Sequence, residues 1–150
     1  MLIREMNFND IESVNILIKE VFVQFMSGDY TEEGIANFYE FISPSSLRER
    51  LSSGNRFYTA EKDEIIAGVI EVRDNLHIAL FYVKGIFHGI GIGRSLFEHA
   101  LKHIQPGTVV TVNSSPFALP VYERLGFTRQ LPAGMKDGMA FIPMKYIHHI

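Results

Sequence analysis

The sequence predicts a mixed α/β fold: one sheet with a central antiparallel meander, helices on both faces, and a single domain spanning residues 1–150. Three observations predict it. Amphipathic helical patterns fill the first third of the chain. Three runs rich in β-branched and aromatic residues follow, separated only by tight turns. The remainder alternates helix and strand. A meander joined to βα alternation gives a mixed sheet whose two faces both need cover. A length of 150 residues suits one domain and buries a core without disulfide or metal staples.

Taken in order, Leu2 to Arg4 reads as a short strand. Asn9-Asp10-Ile11-Glu12 reads as a helix start, with Asn9 as N-cap and acid in the first turn. Ile11, Val14, Ile18, Val21 and Phe25 then recur at spacings of three and four, one apolar stripe. Gly28-Asp29 ends that helix. Thr31-Glu32-Glu33 opens a second, carrying Ile35, Phe38, Tyr39 and Phe41. Ser43-Pro44 is an N-cap followed by proline at the first helical position, opening a third piece to about Leu51. Phe57 to Glu61, Ile65 to Val72 and Leu76 to Val83 read as strands, with Lys62-Asp63-Glu64 and Asp74-Asn75 as the turns. An amphipathic helix from Gly91 to Ile104 places Ile92, Leu96, Ala100 and Ile104 on one face, and Pro106-Gly107 stops it. Thr108 to Val112 is a strand. A short helix ends at Leu125 with Gly126 just past it, the glycine that favours a left-handed exit. Phe127 onward and Met139 to Tyr146 are two last strands around a loop.

Composition narrows the function. Lys and Arg number 14 against 17 Asp and Glu, a formal charge of −3, which argues against a nucleic-acid partner. With no cysteine, disulfides, thiolate metal sites and a cysteinyl acyl-enzyme are excluded. No histidine pair has metal-ligand spacing with a third ligand, so no metal is expected. No run approaches 18 apolar residues and no apolar signal core follows Met1, so neither membrane insertion nor secretion is expected and the compartment reads as cytoplasmic.

The chemistry concentrates in Val83-Lys84-Gly85-Ile86-Phe87-His88-Gly89-Ile90-Gly91-Ile92-Gly93-Arg94-Ser95, a strand leading through a glycine-rich loop into a helix. A helix start offers unpaired N–H groups and the positive end of the dipole. Glycines there let a phosphate or pyrophosphate approach the main chain. A plain strand-to-helix turn is the competing reading, although one or two glycines would serve it. The dinucleotide pattern G-x-G-x-x-G fails, because Arg94 and Leu96 stand where glycine is needed. The Gly-Lys-Ser/Thr of a P-loop is absent.

The segment resembles the pyrophosphate loop of the GNAT acetyltransferase superfamily, Q/R-x-x-G-x-G/A, as His88-Gly89-Ile90-Gly91-Ile92-Gly93, with histidine in place of Gln or Arg. Farther on, Val110-Thr111-Val112-Asn113-Ser114-Ser115 and then Val121-Tyr122-Glu123-Arg124-Leu125-Gly126-Phe127 resemble that family's strand, Asn-containing turn and short helix. The resemblance implies acetyl-coenzyme A lying between the fourth and fifth strands. Phe81 and Val83 would bond its pantetheine and thioester carbonyl through their main chain. N–H groups from Gly89, Ile90, Gly91, Ile92, Gly93 and Arg94, with the Ser95 hydroxyl, would hold the pyrophosphate. His88 and Asn113 are counted with this set by the same motifs. Main-chain dipoles explain how an acidic chain binds a polyanion.

By the same resemblance Tyr122 is the general acid for the leaving thiolate, with ring packing on the sheet as its plainer reading. Glu71 is a candidate base or a solvated residue, and His77 is a second candidate base. A base matters: an amine of pKa about 10 is neutral only about one part in a thousand at pH 7, a deficit of roughly 4 kcal/mol. Phe25 and Tyr30 stand in the region that shapes the acceptor pocket, with core packing as the alternative. Asp29, Glu32 and Glu33 there suit a cationic amine. The implied activity is transfer of acetyl to a primary amine of a small molecule by direct attack. Alternatives are a protein N-terminus or lysine as acceptor, or a non-catalytic acyl-coenzyme A binding module. The family also allows a homodimer. A nicotinamide-dependent oxidoreductase is disfavoured by the failed glycine spacing.

Overall fold

The N-terminal strand β1 (Leu2–Glu5) leads into a 3₁₀ turn, Phe8–Asp10, and then helix α1 (Ile11–Val21). These assignments come from a computed structural model that describes residues 1–136 and 138–149. The side-chain cap is Asn7, at the start of the 3₁₀ turn that runs into α1, two residues earlier than the Asn9 cap the sequence suggests. Asn7 accepts from the Asn9 N–H at 2.9 Å, and Asp10 accepts from the Asn7 N–H at 2.9 Å, a reciprocal capping box. Arg4 fixes this corner by bonding Asp10 at 2.7 and 3.0 Å and Glu61 at 2.6 and 3.0 Å. The guanidinium holds the Asp10 carboxyl below its usual range.

Helix α1 buries Ile11, Val14, Leu17, Ile18 and Val21. The chain then widens into one π-helical stretch, Phe22–Met26. The wider turn rotates Phe25 off the stripe, leaving it half-buried, while Phe22 and Met26 stay in the core. Helix α2 (Glu32–Phe41) is capped by Thr31 and α3 (Pro44–Ser52) by Ser43 with Pro44 in its first turn, as the sequence indicates.

Strands β2 (Arg56–Lys62), β3 (Ile65–Arg73) and β4 (His77–Val83) form the antiparallel meander. Helix α4 (Ile92–Leu101), β5 (Val109–Ser114), α5 (Leu119–Leu125), β6 (Thr128–Arg129), β7 (Gly134–Lys136) and β8 (Met139–Ile147) complete the chain. The described residues form eight strands in the order β1-β2-β3-β4-β5-β8-β6, with β7 added on β8. Only β4 and β5 run parallel. Strand β7 was not readable: its three residues are all exposed and show no alternation, so only pairing with β8 makes them a strand.

Both faces of the sheet are covered, as expected. On one, Ile92, Leu96, Phe97 and Ala100 of α4 pack on Ile70, Val72, Ile78, Val110 and Val112. On the other, Val14, Ile18, Phe22, Phe38 and Leu47 pack on Phe57, Val69, Leu80 and Tyr82. Leu96 and Ile18 are fully buried, and truncating either to alanine costs about 2–5 kcal/mol.

One irregularity positions the site. Ile78 pairs with Val72 and Leu80 with Glu71, so Ala79 is an extra residue, a β-bulge in β4. The bulge resets the alternation: Ile78 faces the α4 side, whereas Leu80 faces the α1 side. Pairing of β4 with β5 ends at Ile78↔Val112, while β5 continues beside β8 to Ser114. The two parallel strands therefore part, and the edge of β4 beyond Ile78 opens onto clefts on either side.

Candidate active site

The larger cleft, about 620 Å³, lies between β4, the start of α4 and α5. Gly91 is the N-cap of α4 in the left-handed region, φ +90°, with no side-chain cap. A residue with a Cβ is strained at that φ. The Ser95 N–H bonds the Gly91 carbonyl at 3.0 Å, the first intrahelical bond. The N–H groups of Gly91, Ile92, Gly93 and Arg94 are thus the helix's unpaired donors. A Cβ built at Gly91 meets nothing within 4 Å, and Gly91, Ile92, Gly93 and Arg94 all line the cleft, so the helix start borders open space. This cradle fits a pyrophosphate. The Arg94 guanidinium donates to the Arg124 carbonyl at 3.0 Å, tying α4 to the end of α5, and both arginines line the cleft. Arg124 was missed as a site residue.

Phe81, Val83, His88, Gly89, Gly91, Ile92, Gly93 and Arg94 line this cleft together. His88 donates from Nε2 to the Val83 carbonyl at 2.6 Å, so its side chain occupies one of the main-chain groups expected to meet pantetheine. Ile90 is exposed and Ser95 half-buried, and neither lines the cleft. Phe25 lines neither cleft. Its ring stacks on Phe117 at 4.9 Å and lies 5.0 Å from the His88 ring, beside the cofactor loop, because of the π-helical rotation. The expectation that Phe25 binds the acceptor is corrected accordingly.

A smaller cleft, about 450 Å³, opens beside the first. It is framed by α2, the start of β4 and the β7–β8 hairpin. Asn113 lines this cleft and not the larger one. Tyr30 lines it, on a single β-bridge to Met139. The hairpin docks on α2 where the Thr31 N–H donates to the Gly138 carbonyl at 3.1 Å. A Cβ at Gly34 would overlap that carbonyl, so glycine is required for the close approach.

The two clefts meet at Phe81, Tyr82, Ala118, Met26 and Tyr122. Tyr122 is 6% exposed, its ring edge-on to Phe81 and Phe127. Burial lifts its hydroxyl well above the ordinary phenol range, so it stays protonated. Tyr82 is buried beside it and is raised by burial and by the nearby Tyr30 and Tyr122 phenols. Tyr30 is raised by burial and by Asp29. Tyr82 carried no signal in the sequence beyond strand alternation, because the bulge at Ala79 decides which face it takes.

The two base candidates separate clearly. Glu71 is fully buried and lines neither cleft. Its carboxylate accepts from Arg50 Nε at 2.7 Å and Nη2 at 3.1 Å and from Asn55 Nδ2 at 2.8 Å. It is neither a solvated residue nor placed to take an amine proton. It ties α3 to the sheet. His77 lines the smaller cleft, with Nδ1 2.8 Å from Thr111 Oγ1. Burial, and secondarily Arg73, lower its pKa below the usual 6.5, so the ring is neutral at pH 7. In the tautomer whose Nδ1 donates to Thr111, Nε2 offers its lone pair. Among the described residues no three His, Asp or Glu are grouped to hold a metal ion, and no helix is long and apolar enough to cross a membrane.

A family model for the acetyltransferase (GNAT) domain matches residues 26–148. A GCN5-related N-acetyltransferase from Rhodopseudomonas palustris is similar at TM-score 0.82 and 18% identity, with 96% of this chain and 93% of that one covered. The PaiA N-acetyltransferase of Thermoplasma acidophilum, solved with coenzyme A, is similar at TM-score 0.73 and 22% identity, covering 97% and 98%. The ribosomal-protein-S18-alanine N-acetyltransferase of Escherichia coli is similar at TM-score 0.70 and 14% identity, covering 99% and 94%. At these identities the structures share the fold. With the family model matching most of its length and a cleft between parted strands ending on an uncapped glycine helix start, the chain belongs to the GNAT family of acetyl-coenzyme A-dependent N-acetyltransferases.

Proposed function

We propose that this chain transfers acetyl from acetyl-coenzyme A to the primary amine of a small molecule, with the cofactor in the larger cleft and the amine in the smaller. The observation that carries the reading is the shared wall: Tyr122 and Tyr82 belong to both clefts, so two ligands entering from opposite sides meet at one phenol. The β7–β8 hairpin, held at Tyr30 and Thr31, supplies one wall of the smaller cleft, whose volume of about 450 Å³ suits a small acceptor.

When bound, acetyl-coenzyme A supplies an activated acetyl thioester. The cradle at Gly91 to Arg94 holds the diphosphate by main-chain donors. His77 takes the proton that the amine loses as its nitrogen bonds to the acetyl carbon. Tyr122 hydrogen-bonds and protonates the sulfur released when the C–S bond breaks. Burial keeps this phenol protonated and able to donate. Because a thiol ionises at about 8.5, below a phenol, the hydrogen bond to the developing thiolate carries the stabilisation, and the sulfur ends with a proton only as the phenol regains one from solvent. The products are the N-acetylated amine and free coenzyme A.

The test is release of coenzyme A, followed with a thiol reagent, from acetyl-coenzyme A and small amines or peptides with free N-termini. The chain has no cysteine, so the signal reports coenzyme A alone. Turnover of small amines at least tenfold above peptides is expected. Preference for peptides refutes the acceptor assignment, and tight cofactor binding with no release on any amine points to a binding module.

A further inference from the structure

The acceptor cleft has a charge bias opposite to that of the chain. The chain holds 17 Asp and Glu against 14 Lys and Arg. Yet the charged residues lining this cleft are Arg73 and Lys136, and no Asp or Glu among the described residues lines it. The acids near Tyr30 in sequence do not line it, although the Asp29 charge is felt at the Tyr30 hydroxyl. Glu32 and Glu33 sit in the first turn of α2, where they complement the helix dipole, and Asp29 lies in the preceding 3₁₀ turn.

Neither cation is neutralised by a strong described partner. Lys136 makes no salt bridge to a described residue. Arg73 meets Asp74 only at 3.7 Å, with both side chains more than half exposed, and such a contact contributes little. The other walls are apolar at Phe38, Phe41 and Phe141, with uncharged polar groups on Asn113 and Ser115. A second positive charge on an acceptor would find two cations and no described carboxylate. A negative charge would find two cations lining the same cleft, each able to form a charge-assisted bond.

We infer that the acceptor amine also carries an anionic group, a carboxylate or a phosphate, engaged by Arg73 and Lys136 while its amine points to Tyr122. This rests on the proposed function and specifies its substrate class. It reverses the expectation of a cationic acceptor drawn by Asp29, Glu32 and Glu33.

The test uses a matched set of H₂N–CH₂–CH₂–X amines: O-phosphoethanolamine, β-alanine, ethanolamine and ethylenediamine. The expected order of kcat/KM at pH 7.5 is either anion above the neutral alcohol by at least tenfold, and the diamine last. Comparison of the first two distinguishes phosphate from carboxylate. Arg73→Glu and Lys136→Glu should each lower the ratio of anionic to neutral rates at least tenfold. Equal rates across the set, a leading diamine, or an unchanged ratio in both variants overturns the inference while leaving acetyl transfer standing.

If no amine turns over, the proposed function fails, and the inference is judged separately by NMR. With coenzyme A present to saturate the glycine cradle, inorganic phosphate should shift the amides of residues 73–77 and 136 saturably, and Arg73→Glu with Lys136→Glu should abolish the shifts. No saturable shift there, or shifts that persist in the double variant, overturns it.

Discussion

Glu71→Gln separates a structural carboxylate from a catalytic one. The perturbation keeps the shape and removes the charge. In the native protein both carboxylate oxygens are used: Arg50 forks onto them at 2.7 and 3.1 Å, and Asn55 adds a third bond at 2.8 Å. A glutamine there has one acceptor oxygen and one NH₂, so at least one of these donors faces another donor. Glu71 is fully buried and the Arg50 side chain is 18% exposed, so water cannot replace the lost partner. Breaking a buried ion pair from one side costs about 3–5 kcal/mol. At about 2–4 °C per kcal/mol for a domain of this size, the melting temperature should fall by about 10 °C. Arg50 also donates to the Phe41 carbonyl at 2.7 Å and lies 3.9 Å from the Phe41 ring centre, so α2 and α3 should loosen together. The assays are calorimetric melting and steady-state kinetics at 15 °C, where the variant remains folded. The kcat should stay within about threefold of the parent. The Glu71→Leu/Arg50→Met double variant, which removes both charges, should recover part of the stability. A melting temperature lowered by less than about 2 °C, together with a kcat lowered tenfold or more, would refute the structural assignment and return Glu71 to the reaction.

Tyr122→Phe keeps the ring against Phe81 and Phe127 and removes only the hydroxyl; kcat should drop about tenfold or more, with acetyl-coenzyme A affinity changed less than about threefold by calorimetry. An unchanged chemical step makes Tyr122 a packing residue. His77 must be neutral to act as base, and its folded pKa lies below 6.5. The rate at constant neutral-amine concentration should therefore hold down to pH 6.5 and fall as pH drops through the lowered value. His77→Gln should lower the plateau about tenfold and abolish that limb, and an identical profile rules out the role. The sign for stability is the same: below 6.5 the unfolded chain takes up the proton more readily, so this residue's contribution to folding is lost as pH falls. Gly91→Val strains a φ of +90° and fills open space at the start of α4. Acetyl-coenzyme A affinity should weaken at least tenfold, about 1.4 kcal/mol, and unchanged affinity in a folded variant removes the cradle from cofactor binding.

What the sequence determined by itself is what short-range chemistry specifies. Thr31 and Ser43 cap their helices, Gly126 ends α5 at φ +106°, and Ile92, Leu96 and Ala100 share one buried face, because each depends on neighbours within a turn or two. The glycine loop was legible for the same reason: its N–H groups are free by virtue of where the helix begins. What only the tertiary structure decided depends on residues far apart in the chain. Glu71 reads as base or surface residue until Arg50 and Asn55 arrive from α3 and the segment after it. Phe25 belongs to a helical stripe until a π-turn rotates it towards His88 and Phe117. Asn113 lies in the same motif as Tyr122 yet lines only the smaller cleft, whereas Tyr122 lines both. Which face Leu80 and Tyr82 take turns on a single extra residue, Ala79, whose bulge resets the alternation along β4. A strand's period of two specifies two faces without saying which is which, and one inserted residue exchanges them for every position that follows.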